Sequence, residues 1–230
     1  MDVQLDAAYQ CGETLFMDSR FFACVVDPGR VDIRVAHADA HGAPYGSVVR
    51  YLETLAGSRP LLAMNAGMYH ADLSPVGLTV TDGLELRAIE TAGGFGNFYL
   101  KPNGVFFVAP GGKAGILETG AYAAAEPVVR HATQSGPMLA IGGAIHPKFV
   151  PNGSSRHIRN GVGIRDDGRV VLAVSLDRVS LGLFARFFLE ASQCPDALFF
   201  DGGVSSVYHL GERIVDRGDP AGPVLAVFDD

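Results

Sequence analysis

Short apolar runs broken by glycine, asparagine and aspartate set the pattern of this chain. Residues 75–83, 103–112 and 160–168 each begin near a glycine, run apolar and turn at another glycine. Each leads into a second apolar segment, at 84–89, 114–117 and 169–175, so the pattern predicts three β-hairpins. Residues 21–26 and 31–36 bracket Asp27-Pro28-Gly29-Arg30, a turn signal that predicts a further hairpin. Residues 223–228 read as a closing strand.

Two stretches change period. At 47–56, Val48, Tyr51, Leu52 and Leu55 make one apolar face, with Ser47 placed to cap the start and Gly57 the end. At 180–193, Leu181, Phe184, Phe188 and Ala191 make another, stopped by Pro195. Each predicted helix leads into an apolar run that ends in Asn or Asp and then glycine: Asn65-Ala66-Gly67 and Asp201-Gly202-Gly203. The alternation predicts an α+β fold, with a central mixed β-sheet, several β-hairpins and a few flanking helices. At 230 residues the expectation is one domain, 1–230, with an N-terminal hairpin region at 1–44 and the main body at 45–230.

Composition narrows the function. Hydrophobic residues at 48% and charged residues at 19% describe a globular chain. A net charge of −7 argues against general binding to nucleic acid or anionic membranes, and leaves room for a local basic pocket. No apolar stretch approaches membrane-spanning length, and the first ten residues hold no signal-peptide core, so a soluble chain is expected. Cys11 and Cys24 flank a predicted hairpin turn and either pair in an oxidising compartment or stay as buried thiols, with Cys194 free.

The segment Leu198-Phe199-Phe200-Asp201-Gly202-Gly203-Val204-Ser205-Ser206 carries the strongest chemical signal. A strand delivers a carboxylate to its end, where glycines allow close backbone approach and the Ser205 and Ser206 hydroxyls can face an oxyanion. A strand exit in which Asp201 caps its own turn has the same composition. Asn65 ends the second run of this design. If the two strands lie side by side, both polar ends open on one sheet edge, with Asn65 orienting a ligand and Asp201 supplying charge or accepting a proton. Arg159, in Ser154-Ser155-Arg156-His157-Ile158-Arg159-Asn160-Gly161, is the better of two arginines for binding phosphate or carboxylate. Gln134, Ser135 and Gly136 form a polar turn that either adds donors to a site or is a solvated hairpin approach. His37 and His41 have an i, i+4 spacing, but Asp39 and Gly42 suggest a loop rather than a helix that would align them. The other five histidines are isolated and three cysteines form no metal pattern, so no metal centre is expected. A structural Ca²⁺ on loop carboxylates and carbonyls stays open, and no other cofactor is implied. No nucleophile elbow or P-loop is present.

With Asn65-Ala66-Gly67-Met68-Tyr69-His70, Ser74-Pro75-Val76-Gly77, Lys101-Pro102-Asn103-Gly104-Val105, Gln134-Ser135-Gly136-Pro137, Arg159-Asn160-Gly161-Val162-Gly163 and Asp201-Gly202-Gly203-Val204-Ser205 in this order, the chain resembles the phosphodiester glycosidase family. The resemblance runs from about residue 45 to the end. It is closest to the bacterial branch, related to the lysosomal enzyme that removes a covering N-acetylglucosamine from mannose 6-phosphate. Ala66 and Val204 stand where that enzyme has glycine, so the resemblance implies the general site and leaves the sugar open.

The resemblance implies a hydrolase that cleaves the glycosidic bond of a sugar-1-phosphodiester, releasing sugar and a phosphomonoester. Asp201, Arg159 and Asn65 would be catalytic. Gly67, Tyr69, His70, Gln134, Ser135, Gly136, Gly202, Gly203, Ser205 and Ser206 would bind substrate. An exported, periplasmic setting is implied as well, which agrees with a Cys11–Cys24 disulfide. Two other readings use the same pocket: a non-catalytic binder of phosphorylated or acidic envelope glycans, and a phosphodiesterase that breaks the P–O bond.

Overall fold

A computed structural model describes residues 4–5, 8–150 and 153–229. The chain opens with β1 (Gln4–Leu5), β2 (Tyr9–Phe16), β3 (Ser19–Val26), β4 (Val31–Ala36), helix α1 (Val48–Thr54) and β5 (Leu62–Asn65). The middle holds β6 (Thr79–Thr81), β7 (Leu84–Arg87), β8 (Gly104–Val108), β9 (Ala114–Glu118), α2 (Thr119–Ala125), β10 (His131–Ser135), β11 (Met138–Ile141) and β12 (Ala144–Ile145). It closes with β13 (Asn160–Ile164), β14 (Val170–Ser175), α3 (Leu181–Arg186), β15 (Asp196–Phe199), β16 (Val207–His209), β17 (Glu212–Val215) and β18 (Val224–Asp229). The three hairpins read from the glycine pattern are present as β6–β7, β8–β9 and β13–β14.

The fold is α+β, mostly strand. The expected central mixed sheet is instead three sheets: β1-β2-β3-β14-β13-β15-β11-β12, β7-β6-β10-β8-β9 and β17-β16-β5-β18-β4. Every strand pair in them is antiparallel. The helices do link parallel strands, but each time a third strand is inserted between. Helix α1 joins β4 to β5, and both pair with β18. Helix α3 joins β14 to β15, and both pair with β13. The inserted strand separates the two parallel strands in each case, and the ladders run antiparallel.

Residues 21–26 and 31–36 are not a hairpin. Both edges of β3 are taken, by β2 and β14, so the Asp27 turn carries the chain into another sheet where β4 pairs with β18. The true hairpin is β2–β3, turning through Met17 and Asp18 at positive φ. It sets Cys11 opposite Cys24, and the two form a disulfide.

The main core lies between the sheets. Phe22, Cys24, Val162, Leu172 and Leu198 come from the first sheet, Phe106, Val108 and Ile116 from the second, and Ile33, Leu62, Met64, Leu225 and Val227 from the third. Each sheet's other face is covered by a helix. Phe184 of α3 packs with Phe187 and Phe188 on the first sheet. Helix α1 packs on Ala63, Val224 and Phe228, and Tyr122 of α2 on Val80, Val105 and Ala132. Full burial of each of these phenylalanines is worth about 1.5–3 kcal/mol. Gly163 lets the phenylalanines come close: a Cβ there would lie 2.7 Å from Phe188 and 2.8 Å from Cys194. Ser47 and Ser180 cap α1 and α3 as their positions implied, through bonds from Arg50 N–H and Leu183 N–H. No helix among the described residues is long and apolar enough to cross a membrane.

Candidate active site

Asn65 and Asp201 do not share a sheet edge. β5 belongs to the third sheet and β15 to the first, and their ends meet where the two sheets converge. Asp201 N–H donates to the Ala66 carbonyl at 3.2 Å, and Asn65 Nδ2 donates to the Asp201 carbonyl at 2.8 Å. The reading of two polar strand ends opening together survives with different geometry: an inter-sheet seam replaces a sheet edge.

Asn160 holds the seam together. Its Nδ2 donates to the Asn65 backbone carbonyl at 2.8 Å and to Asn65 Oδ1 at 3.1 Å. Its Oδ1 accepts the Ser205 hydroxyl at 3.0 Å, and its backbone carbonyl accepts Phe200 N–H at 3.0 Å. Asn65 Oδ1 also accepts Ser206 N–H at 2.9 Å, while Asn65 N–H donates to the Ser206 carbonyl. Asn65, Asn160 and Ser205 are buried, and bonds of this kind inside a low-dielectric core reinforce one another. Asn160 is absent from the residues singled out in the sequence. Its signal was its position, first in the Asn160-Gly161-Val162-Gly163 strand and next to Arg159.

Asp201 is partly buried, and burial raises its carboxyl above the usual range, while Gly203 N–H at 3.1 Å acts in the opposite sense. The turn is thus capped by its own aspartate, as its composition allowed, through Oδ1 alone. Oδ2 has no hydrogen-bond partner among the described residues. Gly202 packs against Phe199 and the Ile158 carbonyl, and Gly203 is exposed at the mouth of the turn.

Arg159 sits one residue before β13. Gly161 faces Phe199 and Asn160 meets Phe200, so continuing the register sets Arg159 opposite Asp201 as the two strands separate. The residue is 3% exposed. Nε donates to the Val179 carbonyl and an NH₂ group to the Ser155 carbonyl, both at 2.9 Å, and the guanidinium lies 5.4 Å from the centre of the Phe199 ring. Burial lowers its pKa to about 10, which leaves it charged at neutral pH. Among the described residues no carboxylate forms an ion pair with it. A buried cation with no counter-charge invites an anion.

The remaining sequence candidates divide into two groups. Gly67 brings the Asn65 turn against β10: a Cβ there would lie 2.5 Å from Thr133 Oγ1 and 2.7 Å from the Gln134 carbonyl. Tyr69 is half-buried and donates to the Pro220 carbonyl at 2.5 Å, and burial, followed by the negative charges of Asp201 and Asp219, raises its phenol above the usual range. The Ser135 and Thr133 hydroxyls are buried without hydrogen-bond partners among the described residues.

Gln134 takes a different role from a ligand-binding one. Its Oε1 accepts Leu78 and Glu90 N–H, and its Nε2 donates to the Glu90 carbonyl and Thr119 Oγ1, so it clamps loops and has no hydrogen-bonding group to spare. Gly136 packs against the Asn97 and Phe98 carbonyls. His70 is exposed in a turn closed by Ser74. Ser205 is spent inside the seam, bonding Asn160 and the Gly202 carbonyl, and Ser206 contributes its backbone groups there. Among the described residues no three carboxylates converge.

An aspartate and an asparagine stand at the meeting of two sheets, with a buried arginine one residue before β13. Residues 58–226 match the model of the phosphodiester glycosidase family. The chain belongs to that family. It is 34% identical over 193 residues to the Escherichia coli K12 uncharacterized protein YigE, covering 84% of this chain and 75% of that one. Its fold is shared with the zebrafish N-acetylglucosamine-1-phosphodiester α-N-acetylglucosaminidase catalytic domain, auto-inhibited by its pro-peptide. There the TM-score is 0.68 at 17% identity, over 96% of this chain and 82% of that one. A Burkholderia pseudomallei K96243 protein shares it too, with a TM-score of 0.61 at 12% identity over 91% and 74% of the two chains. As a phosphodiester glycosidase family member, the chain keeps at the seam the segments that carried the resemblance: Asn65 to Tyr69, Arg159 to Gly163 and Asp201 to Ser205.

Proposed function

We propose that the protein is a hydrolase that cleaves the glycosidic C–O bond of a sugar-1-phosphodiester, releasing the sugar and a phosphomonoester. The observation that carries this reading is the burial of Arg159, with no ion-pair partner among the described residues, at the backbone position that the β13–β15 register sets across from Asp201. One supplies a site for the phosphodiester anion and the other a carboxylate for the sugar carbon. Family membership supports the same reaction class.

Arg159 stabilises negative charge as it collects on the departing phosphate. Asp201 stabilises the oxocarbenium-like centre or accepts a proton from the attacking water. Because a phosphate leaving group is already acidic, the reaction does not depend on a strong general acid, which accounts for a single prominent carboxylate. Asn65 and Asn160 are positioning residues that fix the Asp201 backbone. Tyr69 and the Gly203 turn border the sugar, and no cofactor is required. The Cys11–Cys24 disulfide supports an exported, periplasmic setting, in keeping with the Burkholderia protein, which is provisionally designated as exported.

The test compares sugar-1-phosphodiesters with ordinary glycosides, using wild type and Asp201→Asn in ¹⁸O water. Phosphodiester turnover with ¹⁸O in the sugar and loss of turnover in the variant are expected. Label in the phosphate would assign P–O cleavage instead, and binding without product would leave a glycan binder.

A further inference from the structure

Away from the seam, the inner face of the β2–β3 hairpin carries Tyr9, Cys11 and Cys24, and His209 reaches the same place from β16 in the third sheet. One ligand-capable atom from each of Cys11, Cys24 and His209 lies within 4.8 Å of the others. The His209 ring is fixed by stacking on Tyr9 at 5.9 Å and by packing at 5.2 Å on Phe22. Its Nε2 is buried with no hydrogen-bond partner among the described residues, a costly arrangement unless a partner is supplied. The Tyr9 hydroxyl donates to the Leu61 carbonyl at 3.0 Å and lies 3.6 Å from Cys24 Sγ.

We infer that Cys11, Cys24 and His209 form a redox-gated metal site, closed while the disulfide is intact and able, once it is reduced, to bind one thiophilic divalent cation such as Zn²⁺ through two sulfurs and one imidazole nitrogen. A dithiol reductant transfers two electrons and two protons to the S–S bond, leaving two cysteine thiols and its own disulfide. The cation then displaces both thiol protons to solvent, two metal–sulfur bonds form, and His209 donates its lone pair. In a tetrahedral Zn²⁺ site neighbouring ligand atoms are about 3.5–3.8 Å apart, and these three atoms already lie within 4.8 Å of one another, so the sulfurs must separate and the imidazole needs only a small adjustment. Two thiolates neutralise the cation, which lets it sit among Tyr9, Phe22 and other apolar groups without burying net charge. Water or the Tyr9 hydroxyl is available for the fourth position. The site would tie the hairpin to β16, which starts one residue after Ser206 and its bond to Asn65.

The experiment uses the full chain, oxidised and after reduction with a soluble phosphine that is then removed, and titrates each form with Co²⁺. Reduced protein should take up one Co²⁺ per chain, with thiolate-to-cobalt charge-transfer absorption and tetrahedral d–d bands that Zn²⁺ abolishes, while oxidised protein shows neither. His209→Ala, folded with its disulfide intact and then reduced, should bind Co²⁺ weaker by about tenfold or more. Cys194→Ala should retain the full signal. Absence of charge-transfer absorption in reduced wild type, unchanged affinity in His209→Ala, loss of the signal in Cys194→Ala, or unfolding on reduction that Zn²⁺ does not reverse would each overturn the inference.

Discussion

Replacing Asp201 with asparagine separates the cost of holding a charged carboxylate in the seam from its use. Asparagine keeps the acceptor for Gly203 N–H at 3.1 Å and the shape of the turn, so what changes is the charge. Burial raises the Asp201 carboxyl above its ordinary range. A carboxyl shifted upward stabilises the fold fully below its unfolded pKa and loses that contribution as pH rises through the folded value. Ionised Asp201 therefore burdens the native state at neutral pH. Each unit of upward shift is worth about 1.4 kcal/mol there. Asp201→Asn should melt higher than wild type at pH 7, and the advantage should vanish in acid where wild-type Asp201 is protonated. Activity should move the other way, with kcat/KM for a sugar-1-phosphodiester falling by about 10²–10⁴, or 2.7–5.4 kcal/mol. Thermal melts across pH and initial rates of phosphomonoester release measure both. Turnover within a few-fold of wild type, or destabilisation of the same size at every pH, would refute the reasoning, since Asp201 would then be only a turn cap.

The rate of the wild-type enzyme should fall in acid with an apparent pKa above that of an ordinary aspartate, and a pH–rate profile that stays flat through that range would remove Asp201 as the ionised participant. Arg159→Lys keeps a charge but loses the planar fork held by the Val179 and Ser155 carbonyls, so KM for the phosphodiester should rise by about tenfold or more while a neutral glycoside is unaffected. Asn160→Ala removes the bonds to the Asn65 backbone carbonyl and Oδ1 and one acceptor of the Ser205 hydroxyl, and urea unfolding should show a loss of about 2–4 kcal/mol, more than Ser205→Ala alone. Gly67→Ala drives a methyl to 2.5 Å from Thr133 Oγ1 and 2.7 Å from the Gln134 carbonyl, and calorimetry should register about 1–3 kcal/mol of destabilisation. Reducing Cys11–Cys24 without metal, which opens a link across 13 residues, should lower stability by about 3 kcal/mol in the same assay.

Legibility in the sequence followed the range of the interaction. The β6–β7, β8–β9 and β13–β14 hairpins and the caps of α1 and α3 were readable because turn residues and apolar period act within a few positions. Helix α2 was missed: Thr119–Ala125 offers Tyr122 as its large apolar contact with the core, too little to mark a face. The pairing of residues 21–26 with 31–36 was misread because the Asp27 turn carries no information about whether both edges of β3 are already taken. In the site, Asp201 and Arg159 stood out as charges beside glycines. Gln134 misled because an amide that clamps Leu78, Glu90 and Thr119 has the same composition as one aimed at a ligand.

The sequence by itself determined the α+β alternation, the helices that feed Asn65 and Asp201, and the ordered segments that mark a phosphodiester glycosidase, since each is written in local propensity or contiguous residues. Only the tertiary structure decided that the two polar strand ends belong to different sheets, that Asn160 joins them, and that Arg159 is buried without a counter-charge. It also decided that Cys11 and Cys24, with no metal spacing along the chain, meet His209. The physical reason is the same in each case. Which groups are desolvated together depends on how sheets converge, and that convergence is settled by burial across the whole core, beyond the reach of any local run of residues.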